Sequence, residues 1–198
     1  MENKREVVVF DFDGTITSKD TFLSFICYTV GLSKFVIGFL IHSPYVLLML
    51  LHVYPNWKVK QRIFSWFFKG MSHEKFASLG SAFAQEIYLM VHINIIDLIK
   101  KYVGSGVSVY VISASIEEWV KPFCLGLGAT DVLSTKAEVG EDGCLTGHFA
   151  SKNCYGDEKV KRLLDVEPNR DSYFLIAYGD SKGDTALMDF ADKSVWVK

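Results

Sequence analysis

Three short apolar runs in this chain each end abruptly in a polar motif, and that pattern narrows the possible folds more than any other feature. Residues 7–10 lead into Asp11-Phe12-Asp13-Gly14-Thr15. Residues 107–112 lead into Ser113-Ala114-Ser115. Residues 173–178 lead into Gly179-Asp180-Ser181, with Asp184 four positions beyond Asp180. Short β-branched runs of this kind read as buried strands, the habit of parallel sheets. A fourth strand is expected at 194–197, and helical patterns lie at roughly 85–101, 116–126, 158–165 and 184–191. Strands alternating with helices predict an α/β fold built on a doubly wound, Rossmann-like parallel sheet. Ligands of such sheets bind in the crevice beyond the carboxyl ends of the strands, where all three polar motifs converge.

The length, 198 residues, suits one domain or one domain with an insertion. A hydrophobic share of 49% supplies a core without disulfides, and 15 Gly with 4 Pro exclude collagen-like or low-complexity chains. Cys27, Cys124, Cys144 and Cys154 form no CxxC pair, so neither a zinc site nor a redox motif is suggested; reduced thiols in a cytoplasmic chain are expected. The mixed charges Glu2, Lys4, Arg5 and Glu6, with no long apolar region before Asp11, predict no signal peptide. The five histidines show no metal spacing.

Charge is distributed unevenly. Residues 1–20 carry three Lys/Arg and five Asp/Glu, residues 21–73 carry five and none, and residues 74–198 carry thirteen and eighteen. A basic, charge-poor block inside an acidic chain points to an inserted unit. Residues 18–90 hold no convincing strand and read as a helical cap, leaving 1–17 and 91–198 as the core; 136–149 read as a hairpin or an irregular excursion. The net charge of −2 argues against a general nucleic-acid binder, although Trp57 and Trp66 among the 58–69 basic residues faintly echo a stacking groove.

Strand periodicity puts Asp11 and Asp13 on the same side, where two carboxylates repel unless a cation lies between them. An Asx-turn would also explain the motif. An EF-hand would not, because its twelfth position is Phe22. With Ser113, Asp180, Asp184 and Lys159 after Gly156, the set suits a divalent cation plus a phosphate. Duller readings exist: Ser113 and Ser115 as N-caps of the 116–126 helix, Lys159 as a solvated lysine like Lys161, Asp184 as an N-cap.

In order and spacing these motifs resemble the haloacid-dehalogenase superfamily of phosphatases, and more narrowly its phosphoserine-phosphatase-like subfamily with a cap between the first two motifs. The resemblance implies an Mg²⁺-dependent phosphomonoester hydrolase. Asp11 would be the nucleophile and Asp13 the acid–base. Lys159 would be the positive charge beside them. Ser113 and the Ala114 N–H would hold phosphate oxygens. Asp11, Asp13 through its backbone carbonyl, and Asp180 would hold the metal, with Asp184 completing the metal set by orienting Asp180 or a metal-bound water. Asp20 stands where the subfamily carries a substrate-binding glutamate. The cap arginine position holds Phe64, with Arg62 two residues away as the nearest substitute. Gly183 replaces the usual asparagine.

Residues 35–54 contain no full charge, long enough to span a bilayer's hydrocarbon, but Pro44 near the centre predicts two short helices or a re-entrant hairpin. With Lys58, Lys60, Arg62 and Lys69 beyond it, the segment fits either an anionic membrane surface, and so a peripheral place at the inner face of the membrane, or a greasy cap core closing an oligomer. The cap and Gly156-Asp157-Glu158-Lys159 are also similar to bacterial phosphatidylglycerophosphatases of the same superfamily. A lipid-phosphate phosphatase and a catalytically idle membrane-binding scaffold are therefore the alternatives.

Overall fold

The computed structural model describes residues 4–197, so Glu2 lies outside the described residues. In chain order the elements are β1 (Arg5–Phe10), α1 (Thr21–Val30), α2 (Leu32–Leu50), α3 (Asn56–Phe68), α4 (His73–Glu86), α5 (Ile93–Gly104), β2 (Ser108–Ile116) and α6 (Glu117–Gly126). There follow β3 (Asp131–Thr135), β4 (Ala137–Val139), β5 (Leu145–Phe149), α7 (Asp157–Val166), β6 (Tyr173–Gly179), α8 (Thr185–Phe190) and β7 (Lys193–Trp196).

Val7, Val8, Val9 and Phe10 are wholly buried, which puts β1 at the centre of a five-stranded sheet ordered β3-β2-β1-β6-β7. Every pairing in it is parallel. Val8 and Phe10 face one layer with Ile96 and Ile99 of α5 and Trp119 and Phe123 of α6. Val7 and Val9 face the other, with Leu163 of α7 and Leu187 and Met188 of α8. The doubly wound α/β sheet expected from the sequence is thus observed. Strand β3 is absent from the sequence reading, because Asp131, Ser134 and Thr135 break its apolar pattern at the sheet edge. Strand β2 continues past Ser113 to Ile116, with its register to β3 shifting on the way. The hairpin expected at 136–149 is the antiparallel pair β4–β5.

Helices α1 to α4 lie between β1 and β2 in the chain, and the two legs of this excursion pair with each other. The Ser18 N–H donates to the Met90 carbonyl at 2.7 Å, and the His92 N–H to the Ile16 carbonyl at 2.9 Å. That pairing breaks the helix expected over 85–101: α4 stops at Glu86, a 3₁₀ turn spans Ile87–Met90, and α5 starts at Ile93. Asp20 caps α1 and Ser72 caps α4 through their side chains. Phe25 of α1 stacks on Trp119 of α6 (centroids 4.3 Å apart) and meets Phe76 and Phe83 of α4 edge-on, fastening the excursion to the sheet layer.

The break expected at Pro44 does not occur; α2 is one helix of 19 residues. Proline at this position cannot bond the Leu40 carbonyl, but the Ser43 hydroxyl donates to that oxygen at 2.8 Å. The freed acceptor is satisfied and the helix runs on.

Candidate active site

The site begins where β1 ends. The Asp11 N–H donates to the Tyr178 carbonyl (2.9 Å), which extends the β1–β6 ladder by one residue and fixes Asp11 at the sheet edge. The N–H groups of Thr15, Ile16 and Thr17 all donate to the Phe12 carbonyl and curl the following turn. Gly14 lies at φ +84°, and a side chain there would overlap the Asp180 carboxylate. Only glycine lets the loops after β1 and β6 meet this closely. Thr15 Oγ1 then donates to Asp180 Oδ1 at 3.3 Å.

Lys159 rises from the first turn of α7, whose start is tied to the loop after β6 by the Gly156 N–H donating to the Gly183 carbonyl (2.9 Å). It is only 2% exposed, and its Nζ donates to Asp11 Oδ1 and Asp184 Oδ1, each at 2.5 Å. The solvated alternative for Lys159 is thereby excluded. The other oxygen of Asp184 accepts from the N–H groups of Asp180 and Ser181 and from the Ser181 hydroxyl, at 3.0–3.2 Å. Asp184 is not an N-cap of α8 by its side chain; it clamps Lys159 to the backbone that carries Asp180. Gly183 is explained by Tyr155, whose ring occupies the space a side chain would need.

Asp13 is held by three donors. Its Oδ1 accepts from the Thr21 N–H (2.7 Å) and Thr21 Oγ1 (2.6 Å), and its Oδ2 from Ser115 Oγ (2.5 Å). Trp119 Nε1 donates in turn to Thr21 Oγ1 at 3.1 Å. The N-cap role considered for Ser115 is therefore wrong: the residue before α6 is Ile116, with no side-chain cap, and Ser115 serves Asp13. Ser113 is wholly buried, and its Oγ accepts from the Ser115 N–H (2.9 Å).

A cavity of about 360 Å³ opens over these groups. Asp11, Asp13, Lys159, Ala114 and Ser181 line its polar end, and Phe22, Phe39, Val46, Met49, Val59 and Ile63 its apolar wall. Asp20 lines it too, while one of its oxygens caps α1 by accepting from the Leu23 N–H (2.9 Å). Two corrections concern the basic residues of α3. Arg62 is not at the cavity; it donates to the Tyr54 hydroxyl (3.0 Å) and lies over the Tyr45 ring on the outside. Lys60, which the sequence marks only as part of a basic run, is at the cavity. Its Nζ donates to the Ala114 carbonyl (2.8 Å) and sits 4.9 Å from the Phe22 ring centre. In the sequence Lys60 is one of four similar cations; only the docking of α3 on α2 and β5 turns it inward, toward Phe22 and the Ala114 carbonyl.

Burial pushes the Asp11 carboxyl up to about 7, opposed by Lys159 and reinforced by Asp184 and Asp13. Asp13 is also raised, by burial and then Asp20, against its bonds from Ser115 and Thr21 and the charge of Lys60. Burial and Asp184 raise Asp180. Burial works to lower Lys159, but Asp11 and Asp184 outweigh it and hold the ammonium above its usual range. Burial depresses Lys60 despite Asp20, Asp13 and Asp11. The cluster is short of positive charge: Asp11, Asp180 and Asp184 each bring a carboxylate oxygen within 4.8 Å of the others, with one ammonium among them. Hard oxygen donors with a charge deficit fit a divalent cation such as Mg²⁺.

A central strand ending in an aspartate pair, a lysine clamped by acids from two loops, and a helical excursion over the sheet's carboxyl edge together define a hydrolase site. The family model of haloacid dehalogenase-like hydrolases matches residues 8–189, and the chain belongs to that family. It is 30% identical over 188 residues to the CicA protein of Caulobacter vibrioides, covering 94% of this chain and 83% of that one. It is 29% identical over 136 residues to a histidinol-phosphatase of Neisseria meningitidis, covering 64% and 60%. Among solved structures, a protein of unknown function from Bordetella pertussis superposes with a TM-score of 0.84 at 14% identity, over 98% of this chain and 90% of that one. A substrate-bound phosphoserine phosphatase superposes at 0.67 and 18% identity, over 98% and 86%. These likenesses show a shared fold.

Proposed function

We propose that this hydrolase is a phosphatase acting on phosphomonoesters, with residues 18–90 as a cap over a core of 1–17 and 91–198. The Asp11 carboxylate attacks phosphorus, the bond from phosphorus to the leaving oxygen breaks, and Asp13 gives that oxygen its proton. Asp13, now ionised, takes a proton from water as the water opens the aspartyl phosphate and frees Asp11. The raised Asp13 carboxyl suits the first role, and its three donors aim it.

The observation that carries this reading is Lys159, buried and clamped at 2.5 Å to both Asp11 and Asp184. Burying an ammonium against two acids is too costly to arise as packing alone. Here it fixes a nucleophile and a positive charge for the transferring phosphoryl group. Ser113 and the Ala114 N–H would take phosphate oxygens. The Asp11 carboxylate, the Asp13 carbonyl and Asp180 would hold Mg²⁺, with Asp184 steering Asp180. Bound there, the ion would offset the repulsion between carboxylate and phosphate.

The cavity favours a leaving group with an anionic part facing Lys60 and an apolar part along Phe22, Phe39 and Met49. Arg62 lies outside, so phosphoserine would lack its guanidinium partner. The apolar wall also supports a lipid phosphomonoester as the second reading. Two relatives are phosphatases by name, a histidinol-phosphatase of Neisseria meningitidis and a probable phosphatase of Mycobacterium tuberculosis, which supports the phosphatase reading and not a particular ester.

The test is Mg²⁺-dependent phosphate release from an aryl phosphate. The Asp11→Asn variant should lose activity by a factor on the order of 10³ or more. Turnover close to that of the unaltered protein would overturn the nucleophile assignment. A panel setting phosphoserine beside phosphatidylglycerophosphate in mixed micelles then separates soluble from lipid esters.

A further inference from the structure

Helix α2 is apolar on all sides but packs on only one. Phe35, Phe39, Val46 and Met49 face the core, Gly38 sits against the Phe67 ring, and His42 is buried with Trp66 edge-on to it. The opposite stripe, Val36, Ile37, Leu40, Ile41, Leu47 and Leu48, is 38–67% exposed. Residues at these helical intervals form one continuous face. Beside it runs the outer stripe of α3. Arg62 lies 4.4 Å from the Tyr45 ring centre, and Trp66 meets His42, so Arg62 and Trp66 border α2; Lys58, one turn before Arg62, is exposed with its ammonium over the Trp57 and Tyr54 rings. No acid occurs from residue 21 to residue 73.

We propose that this face of α2, with the basic stripe of α3 beside it, docks the protein on an anionic bilayer surface. A contiguous apolar face on a soluble fold needs an occupant. Charge selects which one. A symmetric pairing of two chains through α2 would bring together two cationic segments with no acid to meet them, whereas anionic lipid headgroups supply the missing charge. The geometry also fixes the pose. Helix α2 is long and apolar enough to cross a membrane. Its inner stripe, however, is held by α1 and α3 and forms the catalytic cavity's apolar wall through Phe39, Val46 and Met49. The helix therefore lies in the plane of the interface, outer face down, rather than crossing.

This inference does not rest on the phosphatase reading, and its test does not use catalysis. The full chain is sedimented with vesicles of phosphatidylcholine containing about one-third phosphatidylglycerol, and with phosphatidylcholine vesicles alone. Binding is expected to the anionic vesicles at low salt, weakening as salt rises. The Leu40→Glu/Leu47→Glu pair, away from the cavity, should weaken it about tenfold or more with helix content unchanged; Lys58→Glu/Arg62→Glu should weaken the anionic preference. Protein left in the supernatant at low salt overturns the proposal. So does equal binding to both vesicle types. Sedimentation equilibrium showing a dimer that Leu40→Glu/Leu47→Glu dissociates would assign the face to a second copy instead.

Discussion

At the scale of single residues, the site is assembled by small groups whose chemistry is visible in the sequence and by contacts that are not. Asp11, Asp13, Asp180 and Lys159 stand out because each follows a strand or opens a helix, so local pattern alone sends them to one edge. The support of Asp13 could not be read this way: Thr21, Ser115 and Trp119 come from three separate elements and meet only through packing. Arg62 could not be told from Lys60 for the same reason: two residues on one helix point to different sides and only the neighbours decide which is inside. Gly14 is the sharpest case of local necessity. The Gly14→Ala variant must place a methyl at positive φ against the Asp180 carboxylate, costing about 1–3 kcal/mol of stability and displacing Asp180. The Mg²⁺ concentration for half-maximal phosphate release should rise by roughly 10–100-fold. An unchanged Mg²⁺ requirement would remove Asp180 from the proposed metal site.

At the scale of elements, strands buried on both faces were legible, as was the edge strand β7 to within a residue; β3 and the long helices were less so. Strand β3 escaped because an edge strand tolerates Asp131 and Thr135, and the interrupted helix over 85–101 because Met90 and Val91 are drawn into pairing with Ser18 and Thr17. The reading of Pro44 as a break failed through a single hydroxyl. Ser43 occupies the acceptor that proline orphans, so the sequence carries both the break and its repair on adjacent residues. Two outcomes follow. The Pro44→Ala variant should stabilise the protein by about 1–2 kcal/mol, the usual penalty of an interior proline less the entropy it removes from the unfolded chain. Replacing Ser43 by Ala should cost a few tenths to about 1 kcal/mol with Pro44 present. It should cost almost nothing in the Pro44→Ala background, where the backbone N–H restored by that substitution takes the Leu40 carbonyl. Equal costs in the two backgrounds, measured by urea unfolding, would mean that the hydroxyl does not sustain the helix.

At the scale of the whole molecule, the two ends of the sheet shift their acids in opposite directions. The carboxyl edge concentrates acids whose pKa values are raised, a stability cost at neutral pH accepted for chemistry. The amino edge does the reverse. Arg5 of β1 grips both oxygens of Glu167 just beyond α7, the Tyr110 hydroxyl of β2 donates to Glu167 Oε1 (2.8 Å), and the Tyr173 hydroxyl of β6 donates to its carbonyl (3.3 Å). Burial works to raise the Glu167 carboxyl, but the bonds from Arg5 and Tyr110 win and hold it below the ordinary 4.5. Its partner Tyr110 is pushed up to about 12 by burial and then by the bond to Glu167. An acid depressed in the folded state stabilises fully above its unfolded value, and that contribution is lost as pH falls through the folded one. The Glu167→Gln variant should therefore melt several degrees below the unaltered protein at pH 7, and the gap should close as pH drops below 4.5. Comparing the two chains at each pH cancels the titration of Asp11, Asp13 and Asp180, which has the opposite sign and is common to both. A gap that stays constant down to acid unfolding would mean that Glu167 holds the amino edge by shape and hydrogen bonding, with its charge contributing nothing.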